Sequence, residues 1–312
     1  SPFGAYGYNP EGVRIGQDES RHQRAVKVWD KREFKDLDGD VELGTRNIKV
    51  ALRRLRKFAR TGAPEELDLD GTIKGTAHKG YLDIHMRPER RNAVNERMML
   101  EVGDLFGSLQ TDFTTRVVVL GGRGLSFCAG ADRKPDDQPL PEAATERERR
   151  FRVHLGRRAS RAIEDCEIPV IGRIQGHASG GGCVWAVSCD FRVATADAVF
   201  WYPEIELGVP LSWAATPRLI QEIGTARARQ MVMLCERVTG ETGERWGLVH
   251  DAVAPDELDG AVERWVERAL AMPDPAMHMA KTQFRGYSRL FAQGDVSEAD
   301  GDQIELARRR LS

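Results

Sequence analysis

Long apolar runs are missing from this sequence. No stretch approaches the roughly 18–20 residues that a bilayer-spanning helix requires, so a helical membrane protein is not expected. Cysteine is scarce: Cys128, Cys166, Cys183, Cys189 and Cys235 are five in 312 residues, with no C-x-x-C pair. An odd, scattered set argues against a disulfide framework or a zinc ribbon and fits a reducing, cytoplasmic setting. An excess of one charge is also missing. The 46 Lys and Arg against 48 Asp and Glu leave a net charge of −2, which gives no overall pull toward nucleic acid or anionic lipid. The opening SPFGAYGYNP has no basic stretch followed by an apolar one, so no secretory leader is expected in it. No internal repeat is visible. What is present, 41% hydrophobic and 30% charged residues, suits a soluble globular chain of one or two domains.

Residues 1–45 are rich in Gly, Asp, Arg and Lys and read as an irregular lead-in. From Arg46 to Arg60 the pattern changes. Ile48, Leu52, Leu55 and Ala59 follow helical spacing among Arg46, Lys49, Arg53, Arg54, Arg56, Lys57 and Arg60. This basic amphipathic helix has two readings: a site for an anionic partner, or a solvated helix balanced by Glu65, Glu66, Asp68 and Asp70. Thr61-Gly62-Ala63-Pro64 stops it. After Gly80, Tyr81–Met86 alternates like a strand. Met98, Val102, Leu105 and Leu109 mark one face of a helix. Arg116–Leu120 is a short buried strand ended by Gly121-Gly122, and Pro141–Cys166 a charged helical stretch. Ile168–Ile174 is a strand, Val184–Ser188 a helix, and Phe191–Ala194 and Ala198–Trp201 are extended. Helices dominate from Thr216. Strands alternating with helices indicate an α/β fold with mainly parallel pairing.

Three segments can carry chemistry. Ser126–Asp132 follows a strand and is built of small residues before an acid, which lets a ligand approach the backbone. Gly180-Gly181-Gly182 stands between a strand and a helix, where free N–H groups favour an anion. Two such loops facing one point would form an oxyanion hole; either alone can be a simple turn. Cys128 and Cys183 lack a sequence-adjacent His and are read as core thiols rather than nucleophiles. In Phe200–Gly208 the acids Glu204 and Glu206 sit within an apolar run. A carboxyl in such surroundings has a raised pKa and suits acid–base work. Glu206 is read as solvated, Glu204 as functional.

The order of these motifs is specific. Arg87-Pro-Glu-Arg-Arg-Asn-Ala93 precedes Phe127-Cys-Ala-Gly-Ala-Asp132. Gln175-Gly-His-Ala-Ser-Gly-Gly-Gly-Cys183, Cys189-Asp-Phe-Arg-Val-Ala194 and Pro203-Glu-Ile-Glu-Leu-Gly208 follow. From about Gly80 to the C-terminus the chain resembles the crotonase, or enoyl-CoA hydratase/isomerase, superfamily. The resemblance implies an α/β fold with a ββα spiral core over 80–252 and a C-terminal helical trimerisation region over 253–312. It implies a homotrimer or hexamer acting on an acyl-CoA, with coenzyme A entering as the substrate thioester and no covalently bound cofactor. By resemblance, the N–H groups of Ala131 and Gly181 hold the thioester oxygen, fixed donors of the kind worth on the order of 10²–10³ in rate each. Arg90, Arg91, Ala93, Ala129, Asp132, Arg133 and Lys134 match segments that cradle the CoA nucleotide. Lys281 falls on a C-terminal helix that approaches CoA, sometimes from a neighbouring subunit. The charged stretch Glu142–Arg161 matches a cover over the acyl pocket.

The sequence departs from the hydratase pattern at two places. Hydratases carry a glutamate directly after the Gly-Gly-Gly-Cys segment, where Val184 stands here. Their glycine-rich loop after the Pro-Glu-Ile segment is replaced by Leu211-Ser-Trp-Ala-Ala-Thr216. With Glu204 alone, the resemblance implies Δ3-Δ2-enoyl-CoA isomerisation by a single acid/base. Hydration, other acyl-CoA lyase or hydrolase chemistry, and a catalytically silent acyl-CoA binder stand as alternatives. Residues 1–79 form a separate extension. Phe3–Gly12, Ala25–Asp30 and Glu42–Arg56 resemble the segment upstream of the metal-binding domain in CoxE-like von Willebrand A proteins. The hallmark Asp-x-Ser-x-Ser does not follow, so no metal role carries over. The basic helix is the one hint of a nucleic-acid partner.

Overall fold

The computed structural model describes residues 81–86, 91–133, 140–291 and 299–311. All belong to the second of two compact units, Gly44–Ser312. The 1–79 extension with its basic helix, and the expected CoA contacts Arg90 and Lys134, lie outside the described residues.

Five parallel strands form the main sheet: β1 (Leu82–Met86), β2 (Val118–Gly122), β3 (Val170–Ile174), β5 (Phe191–Thr195) and β8 (Asp251–Val253), adjacent in that order. All five residues of β2 are buried, as a strand covered on both faces requires. The strand does not end at Gly121-Gly122 as the sequence suggests. Both glycines continue it, opposite His85 and Met86 of β1, because a neighbouring strand is there to pair with. A smaller sheet is built from β4 (His177–Ser179), β6 (Val199–Trp201) and β7 (Val238–Thr239), with β6 parallel to β4 and antiparallel to β7. Its outer edge is extended by a bridge between Cys128 and Ala178.

Helix α1 (Glu96–Leu109) starts where the Asn95 side chain accepts from Met98 N at 2.9 Å, a favoured N-cap. It buries Met98, Val102, Leu105, Phe106 and Leu109. The charged helical stretch holds two helices, α2 (Glu146–Val153) and α3 (Leu155–Asp165), broken at His154. Buried His154 meets Gly301 there, and its Nε2 lies 3.5 Å from Asp302. Helix α4 (Gly181–Ser188) is entirely buried and begins three residues earlier than Val184. The C-terminal part holds α5 (Ala215–Met233), α6 (Gly240–Trp246), α7 (Leu258–Leu270), α8 (Asp274–Phe291) and α9 (Asp300–Leu311). Gly224, with φ 77° and ψ 159°, divides α5 into two helical pieces. No helix among the described residues is long and apolar enough to cross a membrane.

The two sheets share one core. On the smaller sheet Ala178, Phe200 and Val238 are buried. The alternate residues His177, Ser179, Val199, Trp201 and Arg237 therefore face the other way, along a cleft.

Candidate active site

The cleft has a volume of about 1480 Å³ and lies between the small sheet, the loop after β2, and helices α1, α2, α3, α4 and α9. Two loops meet at its centre. Cys128 N donates to His177 O at 2.9 Å, and Ser179 N to Cys128 O at 3.0 Å. A Cβ placed on Gly130 would stand 2.6 Å from Ser179 O and 3.5 Å from Gly181 N. The Ser126–Asp132 and Gly180–Gly182 segments are therefore packed side by side.

Each loop offers one backbone donor. Val94 N donates to Gly130 O at 2.7 Å, and Asp132 N to Val94 O at 2.8 Å. In this parallel bridge Val94 bonds to the residues flanking Ala131, so the N–H of Ala131 points to the opposite side. Gly181 is the first residue of α4, where a helix has N–H groups without intrahelical acceptors and a positive dipole end. Ala131 and Gly181 both line the cleft. The segment behind them is pinned. Arg91 and Asn92 hold φ values of 53° and 58°, costly for residues with side chains. Asn92 Nδ2 donates to Ser126 O at 2.7 Å and to Arg123 O at 2.9 Å. Ala129 N donates to Arg91 O at 3.0 Å. Such bonds keep the donors preorganised.

Glu204 reaches this point from the turn after β6. Leu207 N and Val209 N both donate to its carbonyl at 3.0 Å and tighten the turn. Its Oε1 is 2.9 Å from where a Cβ of Gly180 would stand. Gly180 has φ 49°, so only glycine combines that backbone with that approach. Glu204 Oε2 is buried and has no hydrogen-bond partner among the described residues. Burial pushes its carboxyl up to about 7, against which its own backbone N–H acts only weakly. A carboxyl poised near neutrality both accepts and returns a proton. Glu206 is exposed at the rim, as read from the sequence.

Val184 lies on the first turn of α4, buried against the same cleft. The indole of Trp213 also lines it. Trp213 and Ala214 hold φ values of 60° and 58°, and Ala214 N donates to Asp300 Oδ2 at 2.8 Å. Cys128 and Cys183 are fully buried, and burial pushes both thiols up to about 12. They are core residues, since nucleophilic cysteines need the thiolate.

The expected CoA residues divide into two groups. Arg91, Ala129, Asp132 and Arg133 line one rim of the cleft. Ala93 is half-buried and stands off that lining. Lys281 is elsewhere: its Nζ is 2.5 Å from Asp190 Oδ2 and donates to Ile168 O at 2.9 Å, with the side chain 9% exposed. It fastens α8 to the loops before β3 and β5. The structure thus does not bring it to the cleft of its own chain. Sequence reading missed Arg237, whose guanidinium lies 4.2 Å from the Trp201 ring centroid. The signal was the alternation on β6 and β7, which puts both side chains on the cleft face.

Comparison with known proteins shows the family. Residues 77–303 match the family model described as Enoyl-CoA hydratase/isomerase. The chain is similar to a short-chain-enoyl-CoA hydratase of Clostridium acetobutylicum, 33% identical over 196 residues, covering 62% of this chain and 73% of the relative. It resembles the crystal structure of an enoyl-CoA hydratase from Mycobacterium smegmatis, with TM-score 0.61 and 30% identity over 74% of this chain and 87% of that one. A monofunctional enoyl-CoA isomerase of M. smegmatis matches with TM-score 0.55 and 25% identity, over 66% of this chain and 88% of that one.

Proposed function

Since the chain belongs to the enoyl-CoA hydratase/isomerase family, we infer that it acts on an acyl-CoA as a Δ3-Δ2-enoyl-CoA isomerase. The observation that carries this reading is Glu204: a buried carboxyl tuned to about 7, beside the Ala131 and Gly181 donors, with Val184 where a hydratase has its other glutamate. The thioester oxygen accepts from the N–H groups of Ala131 and Gly181. Glu204 removes a proton from C2 of a 3-enoyl chain, and the electron pair spreads into a dienolate whose oxygen the two donors stabilise. The same carboxyl then delivers the proton to C4, leaving the double bond between C2 and C3. No water is consumed. Valine cannot activate water, and the Trp213 indole against Gly181 takes up room beside the thioester. Arg91 and Arg133 at the rim suit the phosphates of CoA.

The names of the relatives favour a second reading, hydration, because the C. acetobutylicum protein is a hydratase by name. Mass spectrometry in deuterated water separates the two. With a 3-enoyl-CoA, a 2-enoyl product with no added water is expected, carrying deuterium to the extent that the Glu204 proton exchanges with solvent before delivery, and Glu204→Gln should lose on the order of 10³-fold in kcat. A 3-hydroxyacyl product from either double-bond isomer would overturn the isomerase reading. No turnover, with acyl-CoA binding retained, would leave a silent binder.

A further inference from the structure

Helices α3 and α4 approach each other at the centre of the site, and one side chain fills the gap. A Cβ placed on Gly156 of α3 would stand 2.0 Å from Trp213 Cε2 and 2.1 Å from its Nε1. A Cβ placed on Gly181 of α4 would stand 2.1 Å from Cζ3 of the same ring. The indole therefore spans both helices, its five-membered side on Gly156 and its six-membered edge on Gly181. Behind it lies the fully buried Trp185, 6.1 Å away between ring centroids. The left-handed backbone of Trp213 and Ala214 is secured by the bond from Ala214 N to Asp300 of α9. This ring is held as a wall.

The wall stands where an acyl chain must begin. Gly181 supplies a donor to the thioester oxygen, so the carbons after the carbonyl start within contact distance of the indole. Val153 and Ile304 line the same cleft. Charge lines the cleft as well: Arg152 is 2.6 Å from Glu148 and 3.7 Å from Glu96, and Glu305 pairs with Arg149. An alkyl chain passing there would strip water from ion pairs and return nothing to them. We propose that Trp213 is the residue that sets acyl-chain length in this protein, and that the cleft takes short acyl groups of about four to six carbons.

The inference rests on the acyl-CoA reading above and is tested by binding rather than turnover. Calorimetric titration uses butyryl-, hexanoyl- and decanoyl-CoA on the full chain. The parent protein should bind the two shorter thioesters at least tenfold more tightly than decanoyl-CoA. In Trp213→Ala the gap between α3 and α4 opens, and each methylene it takes in should tighten binding roughly fourfold. The preference for butyryl- over decanoyl-CoA should then shrink by at least tenfold or invert. Trp213→Leu, which keeps apolar packing on both glycines, should give an intermediate order and serves if the alanine variant does not fold. Equal binding of all three thioesters by the parent, or an unchanged order in both variants, would overturn the proposal. A chain-length order without any double-bond shift would sink isomerisation and leave Trp213 as the determinant. Failure to bind any of the three would overturn both.

Discussion

The carboxyl of Glu204 is useful because it is costly to ionise where it sits. Its ordinary value of 4.5 rises to about 7 on folding. Below pH 4.5 the carboxyl is protonated in both the folded and the unfolded chain and contributes no difference. Between pH 4.5 and 7 the unfolded chain loses this proton first, so the folded state binds more protons and stability falls as pH rises. At about 1.36 kcal/mol per pH unit, the loss is at most about 3 kcal/mol. Glu204→Gln has no such proton to lose. Its urea midpoint should match the parent near pH 4.5 and exceed it at pH 8, and equal midpoints at both would show that Glu204 is not strained by burial. Activity has the opposite slope. The base form is needed, so kcat/KM should climb with pH and level off above about 7. One residue thus sets stability against catalysis over the same pH interval.

At the scale of elements, Asp190 and Lys281 show what the C-terminal helices do for the core. Asp190 Oδ2 accepts from Val170 N at 2.7 Å, at the start of β3, and also meets the Lys281 ammonium of α8. Removing the cation leaves a mostly buried carboxylate unpaired, a loss of about 2–3 kcal/mol. Lys281→Met should therefore lower the urea midpoint while KM for an acyl-CoA stays within twofold. A large rise in KM at unchanged stability would return Lys281 to the CoA site. Arg192 is a second fastening. Fully buried, it donates to Leu248 O at 2.5 Å and to Cys189 O at 2.7 Å, and pairs with Glu222 of α5. Together these bonds hold β5 of the main sheet against α5 and the segment that follows α6. The Cys189–Ala194 motif thus does structural work in the fold.

At the scale of the whole molecule, α8 carries a row of exposed apolar side chains among the described residues. Met279, Phe284, Tyr287 and Leu290 are each more than half exposed. Single exposed apolar residues are ordinary, but a row along one helix is not. The resemblance stated from sequence places trimer contacts in this C-terminal region. Sedimentation equilibrium should give three or six copies, and Phe284→Glu with Tyr287→Glu should lower that number. A parent protein that sediments as one copy would show that this row is not an interface.

Much of this was legible in the sequence, for local reasons. Strand β1, the stripe of α1 and the extended β5 and β6 follow from alternation and helical spacing, which report burial wherever it occurs. The loops of Ala131, Gly181 and Glu204 were legible from small residues and an acid inside an apolar run. What the sequence left unresolved depends on residues far apart in the chain. The break at His154 reflects its contacts with α9, and β2 runs on through two glycines because β1 lies beside it. Lys281 is buried because Asp190 lies under α8, and the Trp213 indole closes the gap between Gly156 and Gly181 because three segments converge there. By itself the sequence determined which chemical groups this protein owns and in what order. The tertiary structure decided their protonation, their partners and the room between them, since burial and close approach exist only once distant segments have packed.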